Sequence, residues 1–448
     1  MTIDSLRRRL ERYVRARVVW NTVYRITSYL RSSLWVVPLV AIVVVLMVVP
    51  ILRALDGWLG WRIVGLTPAG AQSLFQSVIT LTLSFVVFTF GSLLVAIQVA
   101  SGQLTPRIIA STLLRNDVVR YSVGLFVFTM VLGIMALNRL ERVNDLLALL
   151  TALLGIASIA AFLFLIDYAA RLLRPVSIVA NVCHEGLAVI KAVYPLPVTD
   201  APDDDGAASI PPGAAQRTVR HQGPSEHILA VDVPSLIHEA RRADGLIELV
   251  PEVGDFVANG QPLFVLYDGA VEIPDQQVQI AVAFGSERTM EQDPLFSFRI
   301  MVDIALKALS PAINDPTTAV VALDQIHRLL RVVGQRQLRG ETITDSRGQV
   351  RLIVRTPNWE DFVHVACQEI RMCGAGNVQI ARRLRALLDD LRATLPAHRH
   401  PVIDDEARRL TQALPGLYPQ PDDLALAMQP DVQGLGGSIR PARTVKRP

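Results

Sequence analysis

Two stretches of this sequence hold polar residues at a spacing that could handle a solute or a ligand. In the first, Ser73, Gln76, Ser77, Thr80, Ser84, Gly91, Ser92 and Gln98 recur mostly at three- or four-residue steps. On a helix that spacing gathers them on one face, and Thr82 and Thr89 add polarity a heptad apart. Hydroxyls and carboxamides offer donors and acceptors without a full charge. Gln76, Thr80, Ser84, Ser92 and Gln98 are therefore candidate pore-lining residues, although small polar residues serve tight helix packing equally well. In the second stretch, Arg288, Arg299 and Lys307 precede Asn314-Asp315-Pro316-Thr317. An aspartate followed by proline marks a helix start, and a helix start offers free N–H groups to an anion. Arg288, Arg299, Lys307, Asn314, Asp315 and Thr317 form a candidate anion or partner site. The plainer alternative is that they cap helices and pair charges inside a packed domain.

Other chemistry is poorly supplied. Cys183, Cys367 and Cys373 make no C-x-x-C pair, which fits a reduced compartment without a disulfide framework. The eight histidines are scattered, with no H-x-x-x-H or H-E-x-x-H spacing, so neither a metal site nor a cofactor is expected. No nucleophile elbow, Walker A loop, dinucleotide fingerprint or kinase signature occurs. Asp389-Asp390 and Asp404-Asp405 are adjacent on expected helices and so face apart. An enzyme is not expected.

The elements that must position the first stretch are membrane spans. Charged residues are only 19% of the chain and 51% are hydrophobic, a mixture of membrane and water-facing parts. A helix needs about 20 apolar residues to cross a hydrocarbon core, and four stretches qualify: Leu34–Leu52, Ser77–Ala100, Val118–Leu137 and Leu146–Ile166. The first begins too late and runs too long for a cleaved signal peptide. No span carries an ionisable residue at its middle, where a dedicated transporter would more often hold one. Residues 1–31 hold eight arginines against two acidic residues, so this leader is expected in the cytoplasm. Four spans then return the chain to the same side, with both termini inside. The leader also has Leu6, Leu10, Tyr13 and Val14 at helical spacing, which suits a helix lying on anionic lipid; the alternative is a solvated basic flank that only sets topology. A basic front and an acidic remainder do not suit nucleic acid.

The fold class expected is thus a membrane α-helical domain of four transmembrane helices followed by a soluble α+β cytoplasmic domain. Residues 1–33 read as the basic leader and 34–174 as the transmembrane domain. Residues 175–226 read as a juxtamembrane segment and Pro/Asp-rich linker. Residues 227–285 read as a small β-rich subdomain, with strands at His227–Val233, Gly245–Val250, Pro262–Leu266 and Gln277–Phe284 and a helix at Pro234–Ala243. The run 251–261 supplies two glycines for a turn and has the look of a lipoyl-type hairpin, but no acceptor lysine stands at its tip. Residues 286–414 read as helical: Pro294–Leu309, a helix from Asp315 to about Val333, Trp359–Met372, Val378–Leu395 and Asp404–Leu414. Residues 415–448 read as a disordered tail.

The run Gly91–Arg107, the hairpin 251–266 and above all Gln292–Ala319 resemble a bacterial family of predicted membrane proteins, domain of unknown function 2254. The resemblance covers about residues 30–395, with Ser310–Ala319 its specific part. It implies a bacterial inner-membrane location and brings no reaction, ligand or catalytic residue. Two functions follow from the residues themselves. One is an oligomeric channel or transporter gated by its cytoplasmic domain, a homo-oligomer in the lipid bilayer with the second span facing water. The alternative is a membrane-anchored sensor or scaffold that binds an anionic ligand or a protein partner.

Overall fold

A computed structural model of the chain describes residues 30, 33–59, 65, 67–103, 117–138, 145–172, 174–199, 216–338 and 342–436. These fall into two compact units, the first ending at Ile178 and the second starting at Val179. The arginine-rich leader and the last basic residues of the chain lie outside the described residues.

The first unit is helical: α1 (Val36–Leu59), α2 (Pro68–Gln103), α3 (Asp117–Leu137) and α4 (Asp145–Leu172), with α5 (Pro175–Val193) leading out of it. Among the described residues five helices, α1 to α5, are long and apolar enough to cross a membrane. The fifth, Val176–Val193, is not among the four stretches expected. Asn181, His184, Glu185 and Lys191 interrupt it in sequence, and only its average is apolar. The hub of the unit is α3, which packs against α1, α2 and α4. Small residues let the backbones approach: a Cβ on Gly124 would meet Val37 Cγ1 at 2.6 Å, and one on Gly133 would meet Ile79 Cγ1 at 3.0 Å. Phe85 stacks on Phe162 with centroids 4.0 Å apart, and Phe126 tilts against Phe85 at 5.5 Å. Arg53, where the sequence expected the first span to stop, donates to the Met135 carbonyl at 2.7 Å. That carbonyl is among the last of α3 and lacks an intrahelical partner. With its charge used this way, α1 continues past the arginine to Leu59. Asp56 in turn accepts from the Leu146 N–H at 3.3 Å, at the start of α4.

The second unit is α/β. Its strands are β1 (Gln216–Arg220), β2 (Glu226–Val231), β3 (Gly245–Leu249), β4 (Phe256–Val257), β5 (Pro262–Asp268), β6 (Val282–Gly285), β7 (Thr342–Thr344) and β8 (Val350–Val354). Between and after them lie α6 (Val233–Ala243), α7 (Asp275–Gln279), α8 (Pro294–Ala308), α9 (Pro316–Gly334), α10 (Trp359–Gly374), α11 (Val378–Thr394), α12 (His400–Leu417) and α13 (Pro421–Ala427). One sheet runs β1-β5-β3-β8-β7 and a second β4-β2-β6. All pairs are antiparallel except β3 with β8. Ile228, Leu236, Ile247, Leu249, Phe264, Leu266 and Leu352, each 0% exposed, form the sheet core. In the turn 251–261, Gly254 and Gly260 do take positive φ, +97° and +83°.

Three sequence expectations change. Gln277–Phe284 is not one strand: α7 occupies Asp275–Gln279 and only β6 is extended. Its buried residues Val278, Ala281 and Val282 fall at helical steps, and a pattern that short fits both periods. The sheet also outgrows residues 227–285, taking β1 from the expected linker and β7 and β8 from the region expected to be helical. Residues 415–436 of the expected tail are packed: α12 reaches Leu417, α13 follows, Ala427 is fully buried and Asp431 is 2% exposed.

One partly buried polar cluster joins α9 to α11. Arg383 donates to His327 Nδ1 at 3.1 Å, and a guanidinium can only donate. Nδ1 therefore accepts, and Nε2 carries the proton that it shares with Asp390 at 2.7 Å. Arg331 stands 3.2 Å from Asp390, and Asp324 takes Arg383 Nε at 2.7 Å. Burial pushes the His327 pKa down, helped by Arg383 and Arg331 and opposed by Asp390. A depressed histidine pKa means that the unfolded chain takes the proton first as pH falls. Stability is therefore expected to hold above about pH 6.5, the unperturbed histidine value, and to decline below it. Thermal melts from pH 7.5 to 5.5 check this, and His327→Gln should lose that part of the decline.

Candidate functional site

Which way the polar stripe of α2 faces follows from what packs on the other side. Ala71, Phe75, Val78, Thr82 and Thr89 are buried, and with half-buried Phe85 they make a heptad-like seam against α3 and α4. At about 100° per residue the opposite face carries Gln76, Ser77, Thr80, Ser84 and Gln98, and all of these are exposed; Ser92, a heptad from Phe85, lies at the edge of the seam and is exposed as well. The structure thus splits the stripe. Thr82 and Thr89, which the sequence suggested as added polarity, point into the bundle, where Thr82 bonds back to the Val78 carbonyl at 2.7 Å and Thr89 to that of Phe85 at 2.7 Å. Of the five candidate pore-lining residues, Gln76, Thr80, Ser84 and Gln98 point out of it, while Ser92 stands at the seam's edge and bonds back to the Thr89 carbonyl at 3.0 Å. Among the described residues they line no interior path and pack against no other helix.

On that outward face an open cavity of about 490 Å³ is lined by Gln76, Ser77, Thr80, Leu81, Ser84 and Phe85. Leu81 and Phe85 escape a search for polar residues; their signal is position alone, one and four residues from Thr80 and Leu81. Ser77 donates to the Ser73 carbonyl and Ser84 to that of Thr80, each at 2.8 Å. Such bonds satisfy a hydroxyl within its own helix. The Gln76 carboxamide and the Thr80 hydroxyl have no hydrogen bond among the described residues.

The second candidate site is differently placed. Arg288 pairs with Asp293 and lies over the Phe296 ring, 5.3 Å from its centroid. Asp293, 3% exposed, caps α8 by accepting the Phe296 N–H at 3.0 Å. Arg299 is held between Asp303, at 2.7 Å from its Nε, and Glu369 of α10, whose pKa it draws down. Asn314 has φ of +48°, a left-handed conformation that asparagine tolerates. Asp315 accepts the Thr318 N–H at 3.1 Å and also the Thr318 hydroxyl. The start of α9 is therefore filled by a carboxylate of the chain itself, which an incoming anion would have to displace. Thr317 is exposed and Lys307 lies in the last turn of α8. No hydrogen bond or ion pair joins Arg288, Arg299 or Lys307 to the side chains at 314, 315 and 317.

A family model described as Predicted membrane protein (DUF2254) matches residues 31–390. Proteins of Mycobacterium bovis and of two strains of Mycobacterium tuberculosis, each named an uncharacterized protein, are 25% identical to the chain over 442 residues. The match covers 94% of this chain and 82% of each relative. No solved structure matches.

Proposed function

This chain belongs to the DUF2254 family of predicted membrane proteins, and from that premise we propose an inner-membrane homo-oligomer in which the outward face of α2 lines a shared polar path. The observation that carries the reading is the pair Gln76 and Thr80. Both are exposed on the side of α2 that no other helix among the described residues covers. The apolar stretch of α2 runs from Pro68 to Val95, so at about 1.5 Å per residue Thr80 lies about 2 Å and Gln76 about 8 Å from its centre. Lipid tails cannot hydrogen-bond, and a polar group left without a partner there costs several kcal/mol. A facing copy of the same helix, with water between, satisfies both groups at once.

The reading takes four spans, α1 to α4. α5 is long and apolar enough to be a fifth, but within the α/β unit it buries Val179, Val182, Cys183, Leu187 and Ile190 and exposes Asn181, His184, Glu185 and Lys191. Cys183 Sγ lies 3.9 Å from the Gln325 carbonyl of α9. An amphipathic helix of this kind supports assignment to the α/β unit, with both termini on one side and the arginine-rich leader placing that side in the cytoplasm. α4 ends at Leu172 and α5 begins at Pro175. So short a connection supports gating of the path by the α/β unit.

Native mass measurement in nanodiscs and ion flux into proteoliposomes test the proposal together. The expected result is a closed multimer, cross-linked through Thr80→Cys, that conducts. The double variant Thr80→Leu/Ser84→Leu is expected to keep the multimer and lose the flux. A monomer, or a multimer whose Thr80→Cys chains never cross-link, would sink the reading.

A further inference from the structure

One side of α1 is uncovered among the described residues of the helical unit, and its composition is unlike that of α2. Val45 and Val49, fully buried, pack with Leu132 and Ala136 of α3. The opposite side exposes Leu39, Val43, Met47, Ile51 and Leu55, from 42% to 66%. Between Val36 and Leu52 the helix has no charge, hydroxyl, carboxamide or glycine, and its one alanine there, Ala41, is half-buried. The charges that follow are turned away from this side, Arg53 to the Met135 carbonyl and Asp56 to the Leu146 N–H.

Helices associate within a membrane through small residues that bring backbones close and through hydrogen bonds between polar side chains. The uncovered side of α1 offers neither to a second copy, whereas acyl chains ask for neither. The ends of the helix point to lipid independently. Trp35, 53% exposed, accepts the Leu39 N–H on its carbonyl at 3.1 Å, so it stands one residue before α1 as its cap. Trp58, 84% exposed, stands one residue before its end. The two are 23 positions apart, about 35 Å along a helix. The hydrocarbon core of a bilayer is ~30 Å thick, and ~40–45 Å with its headgroup layers. A crossing helix of this length holds each indole just beyond the hydrocarbon, where the apolar ring and the polar N–H are both accommodated. α3 adds a third such side chain at one of these levels. Gly124 lies against Val37, and Arg120 donates to the Leu30 carbonyl at 3.0 Å. Tyr121, 66% exposed, is therefore level with the start of α1.

We propose that the uncovered side of α1 is a lipid-binding surface, with acyl chains along Leu39 to Leu55 and with Trp35 and Trp58 in the two headgroup layers, where they fix the depth of the helical unit. The proposal rests on the chain being integral to the membrane, and it is independent of whether α2 lines a path. In an assembly built on α2, α1 is then the rim.

Nitroxides at Leu39→Cys, Met47→Cys and Leu55→Cys, one per chain and with exposed Cys373 changed to Ser, read the surface by power-saturation EPR on the full chain in phosphatidylcholine nanodiscs. Met47 is eight residues from each of the other two and falls at the middle of the interval from Trp35 to Trp58. The ratio of collisions with oxygen to collisions with a water-soluble nickel chelate is expected to peak at Met47 and to fall by similar factors at Leu39 and Leu55. Trp58→Leu removes the indole N–H and keeps an apolar side chain, so that end should sink. The Leu55 ratio is then expected to rise toward that of Met47 while the Leu39 ratio holds. A peak displaced to either end, or a Leu55 ratio indifferent to Trp58→Leu, overturns the proposal. So does dipolar broadening at Met47 that vanishes on spin dilution, which would give the surface to a second copy. Three labels that all prefer the nickel chelate would overturn it together with the membrane reading on which it rests.

Discussion

Gly186→Leu is expected to unfold or strongly loosen the α/β unit. A Cβ at Gly186 of α5 would lie 2.8 Å from both Cβ and Oγ of Ser297 on α8, and 3.3 Å from Leu329 Cδ2 on α9. Ser297 has nowhere to go. It is fully buried, and its hydroxyl donates to the Pro294 carbonyl at 2.6 Å. Overpacking at a closed site costs about 1–3 kcal/mol or more, out of a typical total of roughly 5–15 kcal/mol. Leucine adds a whole side chain where a methyl is already too large. Limited proteolysis and thermal unfolding of the full chain in detergent measure the loss. The milder Gly186→Ala should cost about 1–2 kcal/mol, and Ser297→Gly should recover part of it, since two residues in contact are coupled. An unchanged melt for Gly186→Leu would mean that α5 does not pack on α8 as described, and the assignment of α5 to this unit would fall with it.

Asp293→Ala is expected to cost about 2–3 kcal/mol. About 1 kcal/mol is the lost helix cap, and the remainder is the Arg288 guanidinium left beside an apolar patch without its acceptor. The carboxylate itself contributes less than its contacts suggest. Burial pushes the Asp293 pKa up, and Arg288 and the Phe296 N–H only partly offset that. A carboxyl whose pKa is raised by folding favours the fold most at low pH and loses that advantage as pH rises through the folded value. Asp293→Asn keeps a capping oxygen and removes the charge, so it should cost less than about 1 kcal/mol at neutral pH. Urea unfolding of the three proteins side by side tests the order. If Asn proved as damaging as Ala, the ion pair rather than the cap would be the main contribution. Gly254 adds a steric check on the same spot. Its φ of +97° puts a would-be Cβ 2.4 Å from Asp293 Oδ2 and 2.5 Å from Arg288 Nε, so Gly254→Ala should behave like Asp293→Ala.

The parts of this molecule that sequence reveals are those set by local rules. The helix starts at Asp293-Pro294 and Asp315-Pro316 lie where an N-cap and a fixed φ require them. The turn glycines at 254 and 260 have the left-handed φ that their spacing implied. What escaped depends on partners distant in sequence. The stripe on α2 was visible as a periodicity, yet whether Thr82 or Thr80 faced inward was decided by Phe85, Phe126 and Phe162 meeting across three helices. At the start of α9 the sequence left two readings open, an anion site and a helix cap, and Asp315 fills the position as the cap. Residues 429–436 look like loose tail in composition. Their order comes from Arg382, some fifty residues earlier, which is buried and must find carbonyls to bond.

The lone parallel pairing in the larger sheet has a consequence for the order in which the protein can be made. Leu249 of β3 is matched with Val354 of β8, while on the other side of β3 lies β5, which in turn pairs with β1. While the chain is being synthesised at ~5–20 residues per second, the three earlier strands can assemble at once, but the open flank of β3 has no neighbour for roughly 5–20 s more. An unprotected strand edge invites pairing with another chain. Nascent copies inserting side by side into one patch of membrane would therefore be most prone to mispair during that interval, and slow translation between residues 250 and 350 should lower the yield more than slow translation after it.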